Sequence, residues 1–299
     1  MTSIWELESL INLKNKLKNI LISRKVDVSD DDNLSTLVNK VNDVRDNVEL
    51  EGLLSNNLAE FKSESLTKLS DFAFAGTTQL LNINIFNCTY IGSMAFRNSG
   101  IKELKILKDG IINSSTTFYY CNNIEKIILP LFKNDTSKFI TETFRNCPKL
   151  QLVDINTLTR LENLLFYNDD ALKTLIFRRI IEINSLSSLS ILPTNFQSNG
   201  FLYVPESLLD SYKTATNWSA IANRIIKLEG TIYEDIYWSN KDMMFIQVDS
   251  IEYEIPKDTT VLQYKNTYQI EHLYSDEIEL ADDKLLHDYI NTTITTEVE

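Results

Sequence analysis

Glycine is the scarcest informative residue in this chain, with 7 in 299 positions, where ordinary usage supplies about 20. The nearest pair, Gly92 and Gly100, stands eight residues apart. A phosphate-cradling loop of the GxGxxG or GxxxxGK[ST] kind needs two close positions without a Cβ, so nucleotide binding by either route is excluded. Histidine is scarcer still. His272 and His287 are the only two, neither lies in HExxH, and no GxSxG occurs. The three cysteines, Cys88, Cys121 and Cys147, form no CxxC and cannot all pair, which reads as free buried thiols in a reducing compartment. No apolar run approaches the roughly 20 residues of a membrane span, so no membrane insertion is expected. The opening Met1–Glu8 lacks a basic stretch followed by an apolar core, so no signal peptide is read there. Positive charge is also short, with 29 Lys and Arg against 42 Asp and Glu and a net charge of −13. A groove that tracks phosphates needs clustered cations, and nucleic acid is not expected as a partner. Lys14, Lys16 and Lys18 read as the solvated face of a first helix.

What the chain does have is a repeat. Phe74, Phe96, Phe118, Phe144 and Phe166 are separated by 22, 22, 26 and 22 residues. Each is followed by an aliphatic residue (Leu80, Ile101, Ile124, Leu150, Leu172), then by Ile83, Leu104, Ile127, Val153 and Leu175, then by Ile85, Ile106, Leu129, Ile155 and Phe177. Another apolar residue precedes each phenylalanine: Leu69, Ile91, Ile112, Phe139, Leu161. The pair spaced by two is a short strand with both side chains on one face. The phenylalanines are expected on the opposite wall, stacked on one another. A unit of this length cannot bury such a face alone, so neighbouring rungs must supply the core, as in the leucine-rich class of solenoids. The extra residues at 134–138 read as a loop insertion.

The stretches Phe72–Leu80 and Ile91–Leu104 (IGSMAFRNSGIKEL) resemble BspA-type leucine-rich repeats, and Phe201–Trp218 (FLYVPESLLDSYKTATNW) is similar to the segment that closes such arrays. That resemblance implies a final strand ending in Val-Pro, a short helix, and a second helix carrying Ile225 and Ile226. It spans about residues 66–229. Cys121 and Cys147 each lie three after a phenylalanine, where these repeats often carry cysteine, and read as small buried residues on adjacent rungs rather than as a metal pair.

The ends differ from the middle. Residues 4–22 carry an apolar stripe at Ile4, Leu7, Leu10, Ile11, Leu17, Ile20 and Leu21 and are read as an amphipathic helix. Leu34, Leu37, Val41, Val44 and Val48 follow at spacings of 3, 4, 3 and 4, a heptad seam that serves either as an assembly helix or as the second arm of a hairpin capping the first rung. Leu10–Ile20, Val26–Ser29 and Leu34–Val41 resemble the opening of many bacteriophage tail and baseplate proteins, with Arg24-Lys25 standing where those carry a glycine. Residues 231–299 bring Tyr233, Tyr237, Trp238, Phe245, Tyr253, Tyr264, Tyr268 and Tyr274 in alternating segments. Turn signals at Ser239–Asp242 and Pro256–Asp258 suggest a small antiparallel β unit, with a short helix over 282–290. Its aromatics read as core before they read as sugar-stacking platforms.

The expected fold is therefore α+β: residues 1–64 a helical hairpin for attachment, 65–229 a leucine-rich-repeat solenoid of about five to six rungs with a C-terminal helical cap, and 230–299 a small β-rich unit ending in a loose tail over 291–299. No cofactor or metal is implied. Asp30-Asp31-Asp32 lacks the glycine and closing glutamate of a calcium loop and reads as a helix cap. No carboxylate spacing singles out a catalytic pair, and the chain is read as non-enzymatic. The candidate interaction face is the set of side chains flanking the inward pairs: Asn82, Asn84, Glu103, Lys105, Lys126, Ile128, Leu152, Asp154, Thr174 and Ile176. Ile128, Leu152 and Ile176 form an apolar patch that is expected to be covered, by the C-terminal unit or by a partner. With the two resemblances, the expected role is that of a bacteriophage virion structural protein, made in the bacterial cytoplasm without a signal peptide and working as a homo-oligomer. Its expected partners are other virion proteins and a host-surface polymer or protein. A bacterial surface adhesin is the alternative.

Overall fold

The period of the inward residues becomes a coil. The computed structural model describes residues 4–23, 28–29, 59–112, 116–134, 142–158, 160–162, 164–180 and 183–297. A helix, α1 (Ile4–Ser23), comes first, and each coil then lays one short strand on a front wall and one on a side wall. The first three coils give β1 (Glu60–Lys62) and β2 (Lys68–Leu69), β3 (Asn82–Asn84) and β4 (Tyr90–Ile91), β5 (Glu103–Lys105) and β6 (Gly110–Ile112). The next strand, β7 (Lys126–Asn134), runs through both walls. Then follow β8 (Leu152–Thr157) with β9 (Arg160–Leu161), and β10 (Thr174–Phe177) with β11 (Ser185–Leu186). The array closes with α2 (Thr194–Asn199), β12 (Phe201–Val204), α3 (Leu209–Thr214) and β13 (Ile225–Lys227). All pairing between coils is parallel, and the register matches the sequence columns: Leu104↔Ile127↔Val153↔Leu175↔Leu202↔Ile225 on the front, Leu69↔Ile91↔Ile112 on the side. The front wall begins with Phe61↔Ile83, ahead of residue 65.

The five phenylalanines stack as a continuous column, with ring centroids 5.7, 5.5, 5.7 and 5.3 Å apart and planes within 11° of parallel. Each stacked pair is worth about 0.5–1.5 kcal/mol beyond the area it buries. The turn that carries each ring needs two left-handed residues, two before and two after it. The first series is Phe72, Met94, Thr116, Glu142 and Leu164; the second is Gly76, Asn98, Tyr120, Asn146 and Asn168. Only one glycine and three asparagines relieve these ten positions, so most rungs hold ordinary L-residues at φ near +60°. Gly100 is used differently: a Cβ there would fall 2.1 Å from the Thr78 carbonyl oxygen.

A polar column runs beside the rings. Three residues after each phenylalanine stand Thr77, Ser99, Cys121, Cys147 and Asp169, all buried. The Thr77 hydroxyl donates to the Phe74 carbonyl at 2.6 Å and lies 3.1 Å from the Ser99 hydroxyl. The Cys121 and Cys147 thiols donate to the Phe96 and Phe118 carbonyls of the preceding coil at 2.8 and 3.0 Å. The expected place of the two cysteines is thus one segment of a longer column. Asp169 ends it, accepting the Cys147 backbone N–H at 2.7 Å while its second oxygen has no partner among the described residues.

Other expectations are corrected. Lys16 and Lys18 are buried rather than solvated, and burial lowers the Lys16 pKa. Leu17, Ile20 and Leu21 enter the solenoid core with Phe61, Leu66 and Leu69, and the Ser70 hydroxyl donates to Asn19 Oδ1 at 3.1 Å. The far half of α1 therefore caps the first coil. The proposed assembly seam Leu34, Leu37, Val41, Val44 and Val48 lies outside the described residues, as do Phe139 and most of the 134–138 insertion. Ile225 and Ile226 lie in β13, not in a helix.

The C-terminal unit is a five-stranded sheet in the order β15-β14-β18-β16-β17, from β14 (Met243–Val248), β15 (Ile251–Pro256), β16 (Tyr274–Ser275), β17 (Ile278–Glu279) and β18 (Ile294–Thr295). It is mixed, because β18 runs parallel to β14. The turn signals flank the β14–β15 hairpin; its own turn is Asp249-Ser250, both left-handed, as a two-residue hairpin demands. A helix, α4 (Val261–Tyr268), interrupts the expected strands, held by reciprocal bonds between Thr260 and Gln263. The expected helix over 282–290 is one 3₁₀ turn, Leu286–Tyr289, and the expected loose tail is tied down, with Ile294–Thr295 paired to β14 and β16 and the Thr296 hydroxyl donating to Asp249 Oδ2 at 2.6 Å.

The polar column sets a pH dependence. Burial pushes the Asp169 carboxyl up to about 9, against the relief given by the Cys147 N–H. The folded chain thus holds a proton that the unfolded chain has released, and the stability tied to this group falls as pH rises from the ordinary carboxylate range towards 9. Urea midpoints at pH 5 and pH 8 should drop in the wild type more than in Asp169→Asn; equal drops would remove Asp169 as the cause.

Candidate functional site

The outward side chains of the front wall divide into two regions. From β7 onward they turn apolar: Ile128, Leu152, Ile176, Tyr203 and Ile226 form one buried cluster with Leu228, Ile232, Tyr233, Trp238 and the inner face of the C-terminal sheet. The apolar patch expected to be covered is covered by the chain's own C-terminal unit. Ile128, Leu152, Asp154 and Ile176 are buried and Lys126 and Thr174 half-buried, so these six candidate interaction residues serve an internal interface and not an outside partner. Tyr203 and Ile226 extend the same column and escaped the sequence reading, because the repeat template stops at Phe177.

The clasp between solenoid and C-terminal unit is built on a buried ion pair of the solenoid. Arg178 grips Asp154 with two bonds, Nε to Oδ1 at 2.7 Å and Nη2 to Oδ2 at 2.8 Å, and Asp154 is fully buried. Trp238 Nε1 donates to Asp154 Oδ2 at 2.9 Å, and Arg178 Nη2 also donates to the Tyr233 carbonyl at 2.9 Å. The ion pair thus lies within the solenoid, on β8 and at the end of β10, and both of its members also hold the C-terminal unit, Asp154 through Trp238 and Arg178 through the Tyr233 carbonyl. Further ties run from Lys126 to Glu254 and from the Tyr203 hydroxyl to the Thr267 carbonyl at 2.7 Å.

The cover stops at β5. There Lys105 Nζ donates to the Ser239 carbonyl at 3.0 Å, and beyond it a groove of about 650 Å³ opens on the first coils. Its floor is Asn82, Ile83, Asn84, Glu103 and Lys105; its sides are Leu81, Phe86, Lys102, Leu107 and Lys108; the C-terminal unit contributes Tyr237 and Asn240. The structure thus brings together the remaining four predicted face residues, Asn82, Asn84, Glu103 and Lys105. Tyr237 and Phe86 are 50% and 40% exposed, unlike Trp238, Tyr233 and Tyr264, which are core. The groove sits on a seam: β1 and β3 form their own two-stranded sheet, and no strand pairing joins β3 to β5 among the described residues, although Lys102 N–H still reaches the Leu81 carbonyl at 3.1 Å. Ile83 is accordingly half-buried, where its column mates are buried.

A second feature lies on the phenylalanine turns. The residue after each of the last four rings gives Arg97, Tyr119, Arg145 and Tyr167, with guanidinium-to-ring distances of 5.8, 5.6 and 5.2 Å down the stripe. The Arg145 charge is met by Glu142 at 2.8 Å. A cavity of about 310 Å³ beside it is lined by Leu164, Tyr167, Ser190 and Ile191. These cations are engaged with their own neighbours, which makes the stripe an internal cation–π ladder.

Residues 54–173 match the BspA type leucine-rich repeat family in six copies. A leucine-rich repeat protein from Bacteroides ovatus ATCC 8483, known from its crystal structure, is similar at 16% identity and a TM-score of 0.37. The similarity covers 59% of this chain and 55% of that one, so the chain spans about half the length of that protein. No curated protein matches the chain. The fold over the matched stretch is of the leucine-rich-repeat type, and such repeats are protein-interaction or surface modules. The bacteriophage-like character of the first residues finds no counterpart in these comparisons.

The clasp can be tested directly. Arg178→Leu leaves Asp154 buried without its cation and should cost about 3–5 kcal/mol of stability, with the Trp238 emission shifting to the red. Removing both charges, in Asp154→Leu with Arg178→Leu, should recover much of that loss in urea unfolding. A double variant as unstable as the single one would rule out an uncompensated charge as the cause.

Proposed function

We propose that the chain is a non-enzymatic binding module whose recognition surface is the open front of β1, β3 and β5. One observation carries this reading: the C-terminal unit seals the apolar part of the front wall and ends where the outward residues become polar, leaving a walled groove. The match to BspA-type repeats supports a role in protein interaction or at a surface. A fluorescently labelled chain should stain cells in a panel of bacterial strains, and Asn84→Arg, which fills the groove floor, should lose the staining while Lys149→Ala keeps it. Equal staining by the two variants would place recognition elsewhere.

The finer setting we infer is a virion, as a tail, baseplate or fibre component. Support comes from the resemblance of residues 10–41 to bacteriophage tail and baseplate openings and from the heptad seam Leu34–Val48. That setting implies a homo-oligomer and virion protein partners. Cutting away residues 1–64 would strip α1 and β1 from the first coil, so substitutions make the better test. Light scattering should give a trimer or larger for the full chain and a monomer for Val41→Asp with Val44→Asp; a monomeric wild type would count against the setting.

A further inference from the structure

We propose that the groove between the first coils and the C-terminal unit binds an acidic polysaccharide; this rests on the binding role given above and names its ligand class. Three independent features of the site converge on that chemistry. The floor presents two amides that both donate and accept, Asn82 and Asn84, and a carboxylate that accepts, Glu103, which suit the closely spaced hydroxyls of a sugar ring. Strand pairing is interrupted between β3 and β5, where the Lys102 N–H bond to the Leu81 carbonyl still crosses, and an extended hydroxyl-rich ligand can lie along this seam. An exposed aromatic ring stands on each side, Phe86 from the solenoid and Tyr237 from the C-terminal unit. Ring faces of this kind pack against the apolar C–H face of a pyranose, one side apolar and the other wet.

Charge selects the acidic members of the class. The chain carries −13 overall, yet the groove collects Lys102, Lys105 and Lys108 against a single lining carboxylate, Glu103. Lys102 and Lys108 are exposed, and neither makes a salt bridge among the described residues. An anionic polymer would be repelled by most of this surface and drawn to this one place, which sets its position and register. The volume, about 650 Å³, falls within the usual range for a small-ligand site of roughly 300–1,000 Å³, so a short segment of the polymer is gripped and the rest runs out along the face of β1.

Isothermal titration of the full chain with oligogalacturonate and with neutral chitotetraose tests the inference. Oligogalacturonate should bind, about tenfold or more tighter than chitotetraose, and weaken several-fold as NaCl rises from about 0.05 to about 0.5 M. Tyr237→Ala should lower its affinity about tenfold with no change in thermal midpoint, and Asn84→Arg should abolish binding, whereas Lys149→Ala binds as wild type. No heat from either sugar, equal affinity for both, or binding indifferent to Tyr237→Ala and Asn84→Arg would overturn it. If Asn84→Arg abolishes cell staining while oligogalacturonate neither binds nor competes with it, the groove is a binding site for something else: the ligand class falls and the binding role stands.

Discussion

No coil of this protein can bury its own inward face. A rung of about 22 residues supplies one short strand, one bridge and one phenylalanine, each with half its contacts missing until a neighbour arrives. The ring column and the parallel pairing are the two ways in which neighbours complete one another. Both ends of such a stack remain unfinished, and the chain finishes them from outside the repeat: Leu17, Ile20 and Leu21 of α1 close one end, while β13 and Trp218 close the other. The burial of Lys16 and Lys18 follows from the first closure, since a helix laid over an open coil has little solvated face left for its long side chains.

The front wall is where the chain departs from a plain solenoid. Apolar residues placed outward on β7, β8, β10, β12 and β13 would be a liability in water, and the C-terminal sheet converts them into a second core. A core of that kind fixes proximity without fixing orientation. The Asp154–Arg178–Trp238 clasp supplies orientation, because a buried bidentate pair is worth little unless every partner is in place. Where the cover ends is therefore as well defined as where it lies, and the groove inherits a rigid edge bearing Tyr237.

How much of this the sequence discloses depends on the range of the interaction involved. The inward columns were legible because a strand pair and a stacked ring repeat with the coil. Asn82, Asn84, Glu103 and Lys105 followed from the same alternation. The polar column was half seen: Cys121 and Cys147 stood out as cysteines, whereas Thr77, Ser99 and Asp169 are different residue types at the same place, each bonded in its own way. The Thr260–Gln263 capping box was a local signal that the run of aromatics masked, so α4 was read as strand. Asp249-Ser250 lacks the glycine that usually marks a tight hairpin. The seam at β3 and β5, and Tyr237 facing it, were beyond reach, since both depend on how far the C-terminal unit extends along the front wall.

The ties from the C-terminal unit reach five successive coils: Lys105 on β5, Lys126 on β7, Asp154 on β8, Arg178 at the end of β10 and Tyr203 on β12. A bare solenoid comes apart like a zipper, one coil at a time. Here a strut laid along its length ties the coils from β5 onward to one another so that they give way together, while the two coils before the seam rely on the side wall, the ring column and α1.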